Sequence, residues 1–251
     1  MSKRVERAIK DWEVDKVKVL KILNLYCGIG GNRKDWDKFA KENNVKIEVT
    51  AVEYNESIAD AYKQFFPGDK VIVGDAHQYL LENFQEFDFI WSSRPCQSHT
   101  RMRKTNSGIG ERKSPHTFPD MKLYEEIIFL EHFFKGKWVV ENVTPYYEPL
   151  IKPQKIGRHC FWSNFKIEPI EVKNTLNIRN GIKRDIGLDI SEMKFTHRKD
   201  QIMSNCVEPK MGLHILNCST KLNIEEEVKT CSTKHVIPPK SKDSGILPNF
   251  T

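Results

Sequence analysis

Phe87-Asp88-Phe89-Ile90-Trp91-Ser92-Ser93-Arg94-Pro95-Cys96-Gln97-Ser98 opens with an apolar run that does not alternate, the pattern of a strand covered on both faces in a parallel sheet. Cys96 then falls at the carboxyl end of that strand, the edge where open α/β sheets place their ligands. Pro95 fixes its own φ and drives Arg94 towards extended backbone, so the thiol beside it sits on a stiff loop. A thiol held this way can act as a nucleophile. Cysteines are more often inert buried hydrophobes, so the rest of the chain has to decide.

Upstream, Val19-Leu20-Lys21-Ile22-Leu23-Asn24-Leu25-Tyr26 reads as a strand that runs directly into Cys27-Gly28-Ile29-Gly30-Gly31 and a helical segment containing Trp36 and Phe39. Strand, glycine turn and helix together let a ligand approach bare backbone near a helix amino terminus. The dinucleotide fingerprint needs a third glycine at position 33, where Arg33 stands, so nicotinamide and flavin cofactors are disfavoured. The second strand, Lys46 to Glu53, ends in an acid, the usual means of holding ribose hydroxyls after a glycine loop. A helix from Ile58 to Phe66 and a third strand, Lys70 to Val73, lead to Asp75. That carboxylate can either accept from an adenine amino group or cap the following helix.

Downstream of Cys96, Leu123, Ile127, Leu130 and Phe134 recur at helical spacing. A fifth strand, Lys137 to Val140, then ends at Glu141-Asn142-Val143, which brings a carboxylate to the same sheet edge as the thiol. This alternation predicts an α/β fold: a Rossmann-like, mostly parallel sheet flanked by helices.

The totals narrow the class. A chain of 251 residues, 39% hydrophobic and 29% charged, can bury a sizeable core. No apolar stretch is long enough to span a bilayer and the amino terminus lacks a signal-peptide core, so a cytoplasmic protein without a membrane partner is expected. The six cysteines show no metal-ligand spacing, so reduced thiols and no metal site are expected. Net charge is +6, and it is concentrated where Arg101, Arg103, Lys104, Arg112 and Lys113 surround Ser107-Gly108-Ile109-Gly110. This segment is either a solvated loop or a mobile basic flap that touches phosphates beside Cys96.

Four stretches resemble one family, the S-adenosylmethionine-dependent cytosine-C5 DNA methyltransferases. Tyr26-Cys27-Gly28-Ile29-Gly30-Gly31 is similar to its first motif, Pro95-Cys96-Gln97 to its nucleophile motif, and Glu141-Asn142-Val143 to its glutamate motif. Ser204-Asn205-Cys206-Val207-Glu208-Pro209 is similar to its last cofactor motif. They follow the family's order and span Leu20 to about Ile215. Two departures stand out. Arg94 replaces the first proline of the usual pair. Gln154-Lys155-Ile156-Gly157-Arg158 carries only the last arginine of a Gln-x-Arg-x-Arg motif, and the interval from Glu141 leaves no room for the usual strand and helix.

The resemblance implies a compact member. Its catalytic and cofactor-binding domain covers 1–162 and a small target-recognition region 163–199. The last cofactor motif and a returning helix take 200–219, and a carboxyl-terminal extension 220–251. It also implies a division of labour. Cys96 adds to cytosine C6, Glu141 donates to N3 and Arg158 grips O2. Tyr26, Cys27, Gly28, Gly30, Gly31, Glu53, Asp75, Asn205 and Val207 surround S-adenosylmethionine. Gln97, Ser98, Arg101, Arg103, Lys104, Arg112 and Lys113 meet double-stranded DNA whose target base is flipped out. A bacterial or phage-type setting is implied as well, and whether a cognate restriction enzyme accompanies it stays open. Two alternatives stay open at this stage: methylation of cytosine in transfer RNA, and a catalytically silent nucleic-acid-binding relative.

Overall fold

Seven strands form one sheet in the order β3-β2-β1-β4-β5-β7-β6 in the computed structural model, which describes residues 17–100, 118–171 and 186–232, with side chains to residue 220. The strands are β1 (Lys18–Leu25), β2 (Val45–Glu53), β3 (Lys70–Val73), β4 (Phe89–Ser93), β5 (Lys137–Val143), β6 (Gln154–Ile156) and β7 (His159–Ser163). The five from β3 to β5 are parallel, whereas β7 runs antiparallel to β5 and β6 antiparallel to β7. The helices are α1 (Trp36–Glu42), α2 (Glu56–Phe65), α3 (Ala76–Asn83), α4 (Lys122–Phe133), α5 (Lys199–Asn205) and α6 (Pro209–Ser232). This is the Rossmann-like, mostly parallel α/β sheet expected from the sequence.

Burial explains why the central strands do not alternate. Ile22, Leu23 and Leu25 of β1 and Phe89, Ile90 and Trp91 of β4 are all inaccessible or nearly so, because helices cover both faces. Each such side chain contributes roughly 1.5–3 kcal/mol on leaving water. One apolar layer joins Leu80 of α3 and Leu123, Ile127 and Leu130 of α4 to Trp138 and Trp162. The other joins Ile29, Tyr62 of α2 and Ile202 of α5 to Ile186, Leu188 and Ile190. Ile186, Leu188 and Ile190, within 163–199, therefore take part in the same core as Ile29 of the glycine turn. The chain divides into two compact units, Met1–Ser219 and Thr220–Thr251.

The hairpin β6–β7 is absent from the sequence reading. Its first strand is only three residues long, and the second, His-Cys-Phe-Trp-Ser, is buried almost throughout and gives no alternation. Gly157, at φ +57°, and Arg158 form its two-residue turn. Because β7 pairs antiparallel with β5, no helical crossover is needed, which is how the short interval after Glu141 is accommodated.

Reversal of strand order at β1 sets the position of the site. β1 lies between β2 and β4, so the chains leaving the carboxyl ends of β1 and β4 diverge and open a crevice between them. The glycine turn follows β1 and the Cys96 loop follows β4.

Candidate active site

The Cys96 loop is clamped from both sides. The amides of His99 and Thr100 both donate to the Cys96 carbonyl at 3.0 Å, which closes a tight turn after the thiol. Asn142 Nδ2 of β5 donates to the Arg94 carbonyl at 3.2 Å, and Tyr146 N to the His99 carbonyl at 3.1 Å. His99 Nδ1 lies 2.6 Å from the Tyr147 hydroxyl. The residue after Glu141 thus holds the backbone on which Cys96 is mounted.

Register brings the carboxylate to the same place. Ser93, the last residue of β4, pairs with Glu141 of β5. Glu141 is 6% exposed, and its Oε1 lies 2.6 Å from Nδ1 of the buried His159. Burial pushes the Cys96 thiol up; the Glu141 carboxylate raises it further and the Arg158 guanidinium opposes them. Carboxylate and guanidinium therefore both lie within electrostatic reach of the thiol. Arg158 stands at the hairpin turn, its Nη2 donating to the Ser204 carbonyl at 3.2 Å, while Thr144 N donates to the Arg158 carbonyl at 2.9 Å.

Arg94 anchors a second buried cluster. Its Nη1 donates to Glu126 Oε1 of α4 at 2.6 Å and its Nη2 to Asp120 Oδ2 at 2.7 Å. The same guanidinium donates to the Tyr26 hydroxyl and lies 5.0 Å from that ring's centre. Glu126, fully buried, also accepts from Tyr26 Oη and Ser92 Oγ at 2.7 Å, and its Oε1 lies 3.0 Å from His77 Nδ1. A planar fork on fixed acceptors thus does what a second proline would do by restricting φ. It ties the nucleophile loop to Tyr26 of the glycine turn.

The glycine turn is shaped for close approach. Gly30 has φ +86°, and a Cβ there would lie 2.3 Å from the Phe66 ring; at Gly31 it would lie 2.5 Å from the Val207 carbonyl oxygen. The Cys206-Val207 segment thus closes directly onto the first motif. Gly28, φ +54°, faces open space, and its amide donates to Glu53 Oε2 at 3.1 Å. Burial raises the Glu53 carboxyl although the Asn55 and Gly28 amides oppose it. An open glycine backbone beside a recessed carboxylate at the sheet's switch point fits a nucleoside with a polar tail. Arg33, at the missing third glycine, is occupied by bonds to Asp69 at 2.8 and 3.0 Å.

Other residues singled out from the sequence are distributed as follows. Cys27 is buried behind the turn, Asn205 is exposed at the end of α5, and Val207 is buried. Asp75 caps α3, its Oδ1 accepting from the amides of His77 and Gln78, and the Gln78 bond leads in holding its carboxyl below the usual range. Gln97 is exposed, and Ser98 Oγ accepts from Asp120 N at 3.1 Å. Arg101, Arg103, Lys104, Arg112 and Lys113 lie outside the described residues. His159 and the exposed Tyr54 beside Glu53 escaped the sequence reading: one is hidden in an unrecognised strand, and the other is a lone aromatic with no pattern around it. Among the described residues no helix is long and apolar enough to cross a membrane, and no group of three or more His, Cys, Asp or Glu could hold a metal ion.

The sequence profile of the C-5 cytosine-specific DNA methylases matches residues 20–145, half of the chain. Type II methyltransferase M.BanI of Aneurinibacillus aneurinilyticus is 30% identical over 95 residues, covering 38% of this chain and 21% of that protein, so the match spans about a fifth of the relative's length. Among solved structures, a Spodoptera frugiperda DNMT2 mutant is 28% identical, with a TM-score of 0.33 over 49% of this chain and 35% of that one. The Escherichia coli putative methyltransferase yhhF is 13% identical, with a TM-score of 0.35 over 64% and 83%. With its first motif, its thiol and its glutamate all inside the matched span, the chain belongs to the C-5 cytosine-specific DNA methylase family, whose methyl donor is S-adenosylmethionine.

Proposed function

We propose that the protein methylates C5 of a cytosine flipped out of double-stranded DNA, through a covalent adduct at Cys96. The supporting observation is that strand register brings Glu141 level with the end of the strand that carries Cys96, and that the thiol feels both Glu141 and Arg158, beside the strand that carries the glycine turn.

Cytosine C5 is a poor nucleophile. Attack of the Cys96 thiolate on C6 makes an enamine whose C5 can take the methyl group of a sulfonium, leaving the donor as the neutral thioether S-adenosylhomocysteine; loss of the C5 proton to water and of the thiolate then restores the ring. Addition at C6 drives negative charge to N3, so a protonated Glu141 donating there lowers the barrier. The two ends of the ring are coupled. A proton on Glu141 also removes the carboxylate charge that raises the Cys96 thiol, so the form suited to N3 is the form that favours the thiolate. Arg158 is suited to O2 and steadies the same thiolate.

Bound S-adenosylmethionine supplies an electrophilic methyl group on a sulfonium. In this reading Gly28, Gly30 and Gly31 admit its methionine part, Glu53 takes the ribose hydroxyls, and Cys27, Asn205 and Val207 wall the pocket. Tyr26 and the exposed Tyr54 offer aromatic surface, and Asp75, which caps with Oδ1, has Oδ2 for the adenine edge. Gln97 and Ser98 flank the flipped base, and the stretch from Arg101 to Lys113 meets the phosphates. Protection of DNA against a cognate restriction enzyme fits this activity.

Methyl transfer from labelled donor decides the substrate. Duplex DNA is expected to accept label and transfer RNA to remain unlabelled; the reverse would move the assignment to RNA. Bisulfite sequencing of DNA from cells expressing the protein would then read the recognised bases.

A further inference from the structure

We infer that His159 is a positioning residue that fixes which oxygen of Glu141 carries the proton offered to the base. The inference rests on the reading of Glu141 as the N3 donor. On the antiparallel pair β5–β7, Glu141 stands opposite Phe161, so His159, two residues along, projects from the same face as its diagonal neighbour. Its Nδ1 lies 2.6 Å from Glu141 Oε1, both side chains are buried, and the imidazole stacks on the Phe161 ring at 6.0 Å and 29°. Ring and carboxylate therefore hold a single relative geometry.

A carboxyl group has two oxygens of equal basicity in water, and a donor on one of them breaks that symmetry. In the tautomer we infer, Nδ1 carries the ring proton and donates to Oε1, 2.6 Å away, which makes Oε1 an acceptor and confines the acid proton to Oε2. Of the groups that face this site, the Cys96 thiol on the β4 loop feels both the Glu141 carboxylate and Arg158 of the hairpin turn, and the hydrogen bond described for Glu141 is the one to His159. As the Cys96 thiolate adds to C6, the Oε2 proton passes to N3 and the Nδ1–H bond stabilises the carboxylate that forms. On elimination of the thiolate the proton returns to Oε2. No proton is gained or lost over the cycle by this pair.

Three variants test this: His159→Leu, His159→Asn and His159→Gln, in the full chain on duplex DNA. The asparagine amide can set an N–H donor near the position of Nδ1, leucine has none, and glutamine places its donor one bond further out. His159→Leu and His159→Gln are expected to lose on the order of 10- to 100-fold in kcat with the KM for DNA and for donor unchanged, and to form the 5-fluorocytosine adduct correspondingly slowly. His159→Asn is expected to recover most of the loss. Parent-like kcat in His159→Leu would overturn the role of His159, as would an asparagine variant no better than leucine, or a KM that rises with the fall in kcat. If leucine prevents folding, the asparagine–glutamine pair decides by the same criteria. A parent protein that methylates neither DNA nor transfer RNA would remove the underlying reading, and this inference with it; an active parent beside an unaffected His159→Leu removes this inference alone.

Discussion

Two buried carboxylates lie near the nucleophile loop, and they are treated in opposite ways. Glu126 is fully enclosed and saturated: Tyr26, Arg94 and His77 converge on Oε1 and Ser92 donates to Oε2. Glu141 meets His159 on one oxygen, and its charge is felt by the Cys96 thiol. A buried carboxylate bonded on both oxygens is a fastener, held as the anion. One bonded on a single oxygen beside a thiol is the one the proposed reaction asks to pass a proton. The difference separates what holds the site from what acts in it.

Substitution at each carboxylate should separate the two roles. Glu141→Gln is expected to lose on the order of 10²–10⁴ in kcat, with a thermal midpoint close to the parent's. Glu126→Ala is expected to show the reverse priority, a loss of about 3–5 kcal/mol in urea unfolding, because Arg94 loses its buried partner and keeps only the more exposed Asp120. If Glu126→Ala unfolded like the parent, or Glu141→Gln kept its rate, the contrast would collapse.

Acid and base should loosen the fastener from opposite sides. Burial alone would raise Glu126, but the bonds from His77, Arg94, Tyr26 and Ser92 outweigh it and hold its carboxyl below the usual range. Its contribution is therefore present above the unfolded carboxylate value and lost as pH falls through the depressed one. His77 is raised, chiefly by its bond to Glu126, so its contribution is complete below the usual histidine value and fades as pH rises through the raised one. Urea midpoints against pH should fall at both ends, and Glu126→Gln should flatten the acid limb. The smallest expected effect is on the thiol. Since the Glu141 carboxylate raises Cys96, Glu141→Gln should make that cysteine alkylate faster at a fixed, mildly alkaline pH, read by peptide mass spectrometry without substrate. An unchanged rate would mean the two groups do not feel each other.

Much of this was legible in the sequence where a local pattern carried it. The continuous apolar run before Cys96 indicated a strand covered on both faces, and the glycine turn after β1 indicated backbone exposed to a ligand. Cys96, Glu141 and the Ser204–Pro209 stretch stood out as short motifs. Legibility ended where partners are distant in sequence. Arg94 reads as a departure beside Pro95, and only the fold reveals Glu126, Asp120 and Tyr26 around its guanidinium. His159 sits in a strand too uniformly buried to show a period, and its proximity to Glu141 follows from β5–β7 register, which sequence spacing does not encode.

Trapping on duplex DNA in which the target base is 5-fluorocytosine tests the central claim most directly, because a ring methylated at a fluorinated C5 cannot release the attacking sulfur. With S-adenosylmethionine present, the account predicts one stable protein–DNA adduct, mapped by peptide mass spectrometry to Cys96, absent from Cys96→Ser and slowed in Glu141→Gln. An adduct on another residue, or a Cys96→Ser variant that traps as efficiently as the parent, would contradict it.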